Sequence, residues 1–186
     1  MKLFGLPSHD NSLPWKWAND QLTSAGTYWV VARHHGRPHP RPVWGIWYRR
    51  RLHLSIGSPA ILTALHTDPA VAVHLDSGTD VVIVEGRYGG GSINQAVIKA
   101  YNAKYRWDYK AAEYGELVVI QPTAVLAWRA AGRAGRDGFE KTGRWTFDRT
   151  DPGTDRTDPG TDRTDPGTDR TDPGTDRTDP GTDPAS

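Results

Sequence analysis

"TYWVVARHHGRPHPRPVWGIWYRRRLHLSIG", residues 27–57 of a 186-residue chain, decides the fold. Tyr28 to Ala32 is β-branched and aromatic, which suits a half-buried strand. His35-Gly36 supplies a turn, and a second strand runs on to about Trp47. "YRRR" makes an exposed second turn, and "LHLSI" (52–56) alternates as a third strand.

The second strand carries an unusual proline pattern. Successive side chains alternate between faces, so His39, Arg41, Val43, Gly45 and Trp47 share one face. Pro40, Pro42, Trp44, Ile46 and Tyr48 share the other. Backbone N–H groups alternate between the two edges in the same way, so Pro38, Pro40 and Pro42 strip donors from a single edge. A central strand does not tolerate three such losses. One edge is therefore expected to stay unpaired over the first half of the strand. Arg37, His39 and Arg41 keep their N–H groups for the preceding strand. An open edge beside His39 and Arg41 is a place for a ligand.

Working outward, "LPWKWANDQLTSA" (13–25) reads as a helix ended by Gly26. "SPAILTALHTDP" (58–69) reads as a second helix, with Ser58 as N-cap and Pro59 in the first turn. "AVAVHLD" (70–76) and "VVIVEGRY" (81–88) are strands across a Ser77-Gly78 turn. "SINQAVIKAYNAKY" (92–105) has helical spacing, and its Lys104 reads as a solvated helix-end charge. "ELVVIQPTAVLAW" (116–128) gives one bent strand or two split at Pro122, and "GRWTF" (143–147) a last short strand. Strands in close succession with a few short helices predict a mainly β chain built as a small barrel.

Composition bounds the function. There is no cysteine, which excludes disulfides and cysteine-ligated zinc. No apolar run is long enough to span a bilayer. "MKLFGLPSHDNSLPW" lacks the apolar core of a signal peptide, so a cytoplasmic protein with no membrane partner is expected. From Arg149 the sequence is "RTDPGTD" five times over, then "PAS". Removing the tail's five Arg and ten Asp from totals of 23 basic and 22 acidic leaves a body with 18 and 12, net +6. A basic body suits an anionic ligand. The repeats hold no Leu, Ile, Val, Phe or Met, so nothing offsets ordering entropy. The organisation expected is an N-terminal extension (1–12), one domain (13–148) and a disordered repeat tail (149–186).

Two rival chemistries are weaker. His34, His35 and His39 invite a metal reading, but adjacent strand residues point oppositely and no acidic residue lies near them in sequence. His34 and His35 read as turn residues instead. Arg33, Arg37, Arg41 and Arg49 to Arg51 with interleaved Trp resemble a nucleic-acid surface. A solvated hairpin turn at Arg49 to Arg51 is the preferred reading, so no nucleic-acid partner is expected. Asp76, Asp80 and Glu85 are scattered and form no carboxylate pair.

The order of pieces is distinctive. A Tyr-Trp strand, "GRPH", "PVWG", an Asp-Pro after the helix and "VEG" follow one another across residues 28–88, with "KAYNAKYRW", "VVIQPTAVLAW" and "GRWTF" behind them. Taken together, residues 13–147 resemble the pyridoxamine 5'-phosphate oxidase-like, flavin-binding split-barrel superfamily, in its small actinobacterial form. The resemblance implies a six-stranded split β-barrel of Greek-key or meander type. It also implies a homodimer, with FMN bound, or in some branches a deazaflavin coenzyme or haem. Carried over by position, cofactor contacts fall on His39, Arg41 and Val43 of the second strand. Further contacts fall on Ser55, Ile56, Gly57 and Ser58 after the third, with Arg144 and Trp145 closing the cleft. The chain departs from the family pattern after the third strand, where Ser-Arg-Lys-Ala is replaced by "SPAI" and both cations are missing.

The function expected from that resemblance is a flavin- or deazaflavin-dependent oxidoreductase acting on a small molecule. Such a site needs little acid–base machinery from the protein, because the cofactor carries the chemistry. The alternative is a non-catalytic cofactor- or haem-binding protein on the same barrel.

Overall fold

The computed structural model describes residues 12–130 and 139–147. The expected repeat tail and nearly all of the N-terminal extension lie outside the described residues.

Helix α1 (Trp15–Ser24) buries Ala18 and Leu22. Strand β1 (Tyr28–His34) alternates in burial, with Tyr28, Val30 and Ala32 facing the core. His35 and Gly36 both have positive φ, 49° and 74°, which is the twist a two-residue hairpin needs. Strand β2 (Arg37–Tyr48) follows, and Arg49 and Arg50 turn the chain with φ of 48° and 57°. Strand β3 is Arg51–Ser55.

Helix α2 (Pro59–Thr67) starts where Ser58 and Pro59 predict, although the Ser58 side chain makes no capping hydrogen bond. Its Ile61, Ala64 and Leu65 are buried against the barrel core. Strands β4 (Ala70–His74) and β5 (Asp80–Ser92) form the next hairpin. Helix α3 (Gln95–Tyr105) opens on Asn94, whose side chain accepts the N–H groups of Ala96 and Val97. A single turn, α4 (Ala111–Tyr114), leads to β6 (Leu117–Ala130) and β7 (Phe139–Thr146).

The sheet order is β3-β2-β1-β4-β5-β6-β7, and β3 also pairs with β6. That extra pairing closes six antiparallel strands into a barrel. Because β1 sits between β2 and β4, the connection departs from a pure meander. Strand β6 pairs with β5 along one edge and divides the other between two neighbours: Val118 to Ile120 pair with β3, while Ala124 to Ala130 pair with β7. Of the two readings at Pro122, one bent strand or two, the structure shows one continuous strand with a register irregularity there. Gly86 lies opposite Pro122 while Glu85 lies opposite Ala124, so Thr123 bulges out where Pro122 has no N–H to give.

Two apolar clusters sit on the two sides of the β2 sheet. The barrel interior holds Tyr28, Val30, Leu52, Leu54, Val82 and Val84, among others. The second cluster packs Ile46 against Val97, Ile98 and Tyr101 of α3. Fully burying such a side chain contributes about 1.5–3 kcal/mol, so α3 is held on the barrel's outer face by a core of its own. Among the described residues, no helix is long and apolar enough to cross a membrane.

Candidate functional site

The edge of β2 behaves as its prolines dictate. Arg37 to Val43 pair with His34 to Tyr28 of β1, and Trp44 to Tyr48 pair with Ser55 to Arg51 of β3. Strand β3 therefore stops where the prolines begin. From Pro38 to Pro42 the far edge has no strand partner among the described residues. His39 lies opposite Ala32 and Arg41 opposite Val30, so both side chains leave from the core-facing side of the sheet at its open end. Arg41 is exposed, and its Nη1 donates to the Pro40 carbonyl at 2.8 Å.

His39 is the unusual member. Its Nε2 is shielded from solvent and has no hydrogen-bond partner among the described residues. A shielded ring nitrogen without a partner is costly, so the position is suited to a polar ligand atom or a water. Burial, then the charges of Arg41 and His34, hold its pKa below the ordinary histidine value. The ring is therefore neutral near pH 7, able to donate from Nε2 in the appropriate tautomer. The His34 ring stands 5.5 Å away and 4.1 Å from His35. His34 is thus the last residue of β1 and a neighbour of His39, not the turn residue expected. Among the described residues, no group of three His, Cys, Asp or Glu side chains is arranged to hold a metal ion.

The structure does not gather the nine expected contact residues into one place. His39, Arg41 and Val43 share a face of β2, with Val43 packed against the barrel core. Ile56 is buried in that same core. Ser55 ends β3 opposite Trp44 on the outer face of the sheet. Gly57 and Ser58 lead into the N-terminus of α2. Arg144 and Trp145 lie elsewhere. Trp145 packs edge-on against Trp15 at 5.2 Å, and Trp15 in turn meets Trp47 at 6.3 Å. Trp47 is eight residues along β2 from His39, roughly 25 Å at strand rise. Arg144 is exposed on the opposite face of β7.

Just beyond the open stretch, side chains of α3 replace the missing strand. Gly45 is the first β2 residue on the β1-facing edge that β1 does not reach. Its N–H donates to the Tyr105 hydroxyl at 2.9 Å. The Tyr105 hydroxyl lies 2.7 Å from the Gly45 carbonyl and 2.9 Å from that of Gly26, and donates its one proton between them. Lys104 also donates to the Gly45 carbonyl at 2.9 Å and to the Tyr28 hydroxyl at 3.2 Å. Its ammonium rests 4.9 Å from the centre of the Tyr28 ring. Burial pushes the Lys104 pKa down to about 8 and that of Tyr28 up. The expectation of a solvated Lys104 is therefore corrected: the side chain turns inward because β2 offers an unpaired carbonyl there. A signal existed, since Tyr101, Lys104 and Tyr105 lie at helical spacing on the apolar stripe.

Sequence reasoning also missed an aromatic shelf beside this junction. Trp44 stacks on Tyr105, ring centres 5.0 Å apart and planes 9° from parallel. Trp107 stands 6.3 Å from Trp44 at 76°. Separately, an open groove of about 600 Å³ crosses the outer faces of β1, β4 and β5, rimmed by Arg33, Asp68, Glu85 and Arg87.

The described residues thus form a closed six-stranded antiparallel barrel, with a seventh strand, β7, added on the edge of β6 that β3 leaves free. No protein-family model and no curated relative matches the chain. Solved structures do match. The general stress protein 26 of Bacillus anthracis str. Sterne aligns with a TM-score of 0.50 at 17% identity, over 61% of this chain and 92% of its own. A NimC/NimA family protein of Clostridium acetobutylicum gives 0.51 at 13%, over 71% and 91%. A Clostridium acetobutylicum protein related to general stress protein 26, described as of the pyridoxinephosphate oxidase family, gives 0.50 at 9%, over 73% and 97%. The chain thus has the fold of the pyridoxamine 5'-phosphate oxidase-like split-barrel proteins.

Proposed function

We propose that the protein binds a flavin-class cofactor, FMN or its deazaflavin relative, at the open edge of β2. We further propose that it is an oxidoreductase acting there on a small molecule. The observation that carries this reading is the shielded, unpartnered Nε2 of His39 on the same strand face as the Arg41 guanidinium. A phosphate oxygen at that edge satisfies the first and pairs with the second. The residues present therefore fit an anionic cofactor arm. When bound, the cofactor supplies the hydride chemistry.

The chain's own residues position and select. Arg41 gives a charge-assisted contact and His39 a neutral donor. The α2 N-terminus adds backbone N–H groups and dipole, and the Ser58 hydroxyl is not engaged as a cap. These replace the two cations absent at Pro59-Ala60. A homodimer in the cytoplasm goes with this reading.

A second reading, a non-catalytic carrier of a flavin or haem on the same barrel, is favoured by those missing cations. Purified full-length protein decides the cofactor by colour: yellow with flavin absorbance for the first reading, a Soret band for haem. Arg41→Ala is expected to weaken FMN binding by about tenfold or more without unfolding. A colourless protein that also fails to take up added FMN, deazaflavin or haem rejects both.

A further inference from the structure

Among the described residues, four large apolar side chains are exposed: Trp44 (48%), Ile93 (59%), Trp107 (48%) and Tyr114 (48%). Three of the four form one patch, since Trp107 meets Trp44 at 6.3 Å and Tyr114 at 6.3 Å. Single exposed apolar residues are ordinary, whereas a contiguous aromatic patch marks a binding surface.

The patch is also rigid. Tyr105 backs one face of Trp44, and the Tyr105 hydroxyl is pinned to the backbone of Gly26 and Gly45. Trp44 is the first β2 residue beyond the proline-stripped edge and lies opposite Ser55, the last residue of β3. Shelf and open edge are therefore continuous. Among the described residues no strand pairs with β2 beyond Pro42, so nothing in the described sheet separates the two faces there.

We propose that the planar ring of the cofactor stacks on Trp44, in the corner that Trp44 makes with Trp107. This rests on the cofactor reading above. An electron-poor, flat ring laid against one of these indoles meets the other nearly edge-on, which is the arrangement aromatic pairs favour. The ring's side arm then runs along the open edge toward Arg41 or Ser58. The shelf gives affinity that does not depend on the phosphate, which accounts for how a site without the usual cations retains a cofactor.

The test titrates full-length protein with FMN, riboflavin and the deazaflavin coenzyme, following affinity and the emission of the ligand itself. Stacking on indole quenches that emission. Trp44→Ala is expected to weaken FMN and riboflavin alike, by about tenfold, and to restore the emission of whatever remains bound. Trp44→Phe is expected to keep most of the affinity, and Trp107→Ala to give a smaller loss than Trp44→Ala. Arg41→Ala is expected to weaken FMN but not riboflavin. Far-ultraviolet circular dichroism checks that each variant is folded. If Trp44→Ala and Trp107→Ala both bind with unchanged affinity and quenching while Arg41→Ala weakens FMN, the ring lies elsewhere and the cofactor reading stands. If wild-type protein binds none of the three ligands, both fall.

Discussion

The hydroxyl of Tyr105 accepts the Gly45 N–H at 2.9 Å and sits 2.7 Å from the carbonyl of the same residue. One side chain thus does what a neighbouring strand does elsewhere in the barrel. The arrangement follows from chain lengths, because β2 outruns β1 at this end and a buried peptide must find partners from another element. Tyr105→Phe removes both contacts while leaving the ring to pack. The Gly45 N–H then has no partner, and the loss is expected to be about 1–3 kcal/mol. Urea unfolding monitored by circular dichroism measures it. A midpoint equal to wild type would show that water enters and pairs Gly45 as well as Tyr105 does.

Gly45 is constrained from its other side too. A Cβ at this position would run into the Leu54 side chain and lie 2.8 Å from the His53 carbonyl oxygen. Strands β2 and β3 therefore approach as closely as they do only because residue 45 has no side chain. Gly45→Ala is expected to destabilise by roughly 1–3 kcal/mol through overpacking. It is also expected to shift the Tyr105–Trp44 stack, which the near-ultraviolet circular dichroism spectrum reports. A spectrum and stability like those of wild type would show that β3 moves aside freely.

The parts of this design that were legible in the sequence are those that depend on backbone chemistry. Pro38, Pro40 and Pro42 cannot donate wherever they sit, so the unpaired edge followed from their spacing alone. His35-Gly36 and Pro59 acted on local conformation in the same way. The parts that were not legible depend on what lies across the fold. Helical spacing sets Lys104 beside the apolar stripe, but nothing local names the carbonyl 59 residues away that it reaches. Likewise the expected strand ends at Tyr88 and the expected helix begins at Ser92, yet β5 runs on to Ser92 because Gly91 and Ser92 find Val118 and Leu117 as partners. The single helical turn Ala111–Tyr114 went unread for want of a periodic stretch. At the site, His39 and Arg41 were visible as a pair on one face. Arg144 and Trp145 were grouped with them by resemblance, and the fold carries Trp145 to the other end of β2.

The β2–β3 hairpin stores strain that can be released. Arg49 and Arg50 both occupy the left-handed region, where Asn and Gly are at ease and Arg is not. The two differ in what offsets this. The Arg50 guanidinium lies over the rings of Trp15 and Phe147, at 5.8 and 5.3 Å, whereas that of Arg49 lies over its neighbour Tyr48. Arg49→Asn is therefore expected to stabilise the protein by about 0.5–1 kcal/mol, and Arg50→Gly to gain little or lose stability. Thermal unfolding of the two single variants decides the matter. A larger gain from Arg50→Gly than from Arg49→Asn would show that the stacking over Trp15 and Phe147 contributes nothing.

Stability should climb and then fall on the alkaline side, for reasons that separate by residue. Burial holds Lys104 at about 8 in the folded protein, against an ordinary value of 10.5. Between those values the folded state has lost a proton that the unfolded chain still binds. Stability therefore rises with pH across this window, as the penalty of a desolvated ammonium is relieved. The side chain is not fully buried, so the gain is roughly 1–2 kcal/mol after allowing for solvent. Above about pH 10 the sign reverses. Burial raises the pKa of Tyr28, Tyr101, Tyr105 and Tyr109, so the folded state keeps protons that the unfolded chain gives up. The melting temperature is expected to peak near pH 9–10, with Lys104→Met flattening the rising limb and Tyr28→Phe softening the fall. If Lys104→Met leaves the climb between pH 8 and 10 intact, the ammonium is solvated in solution and its contacts with Gly45 and Tyr28 carry no net penalty.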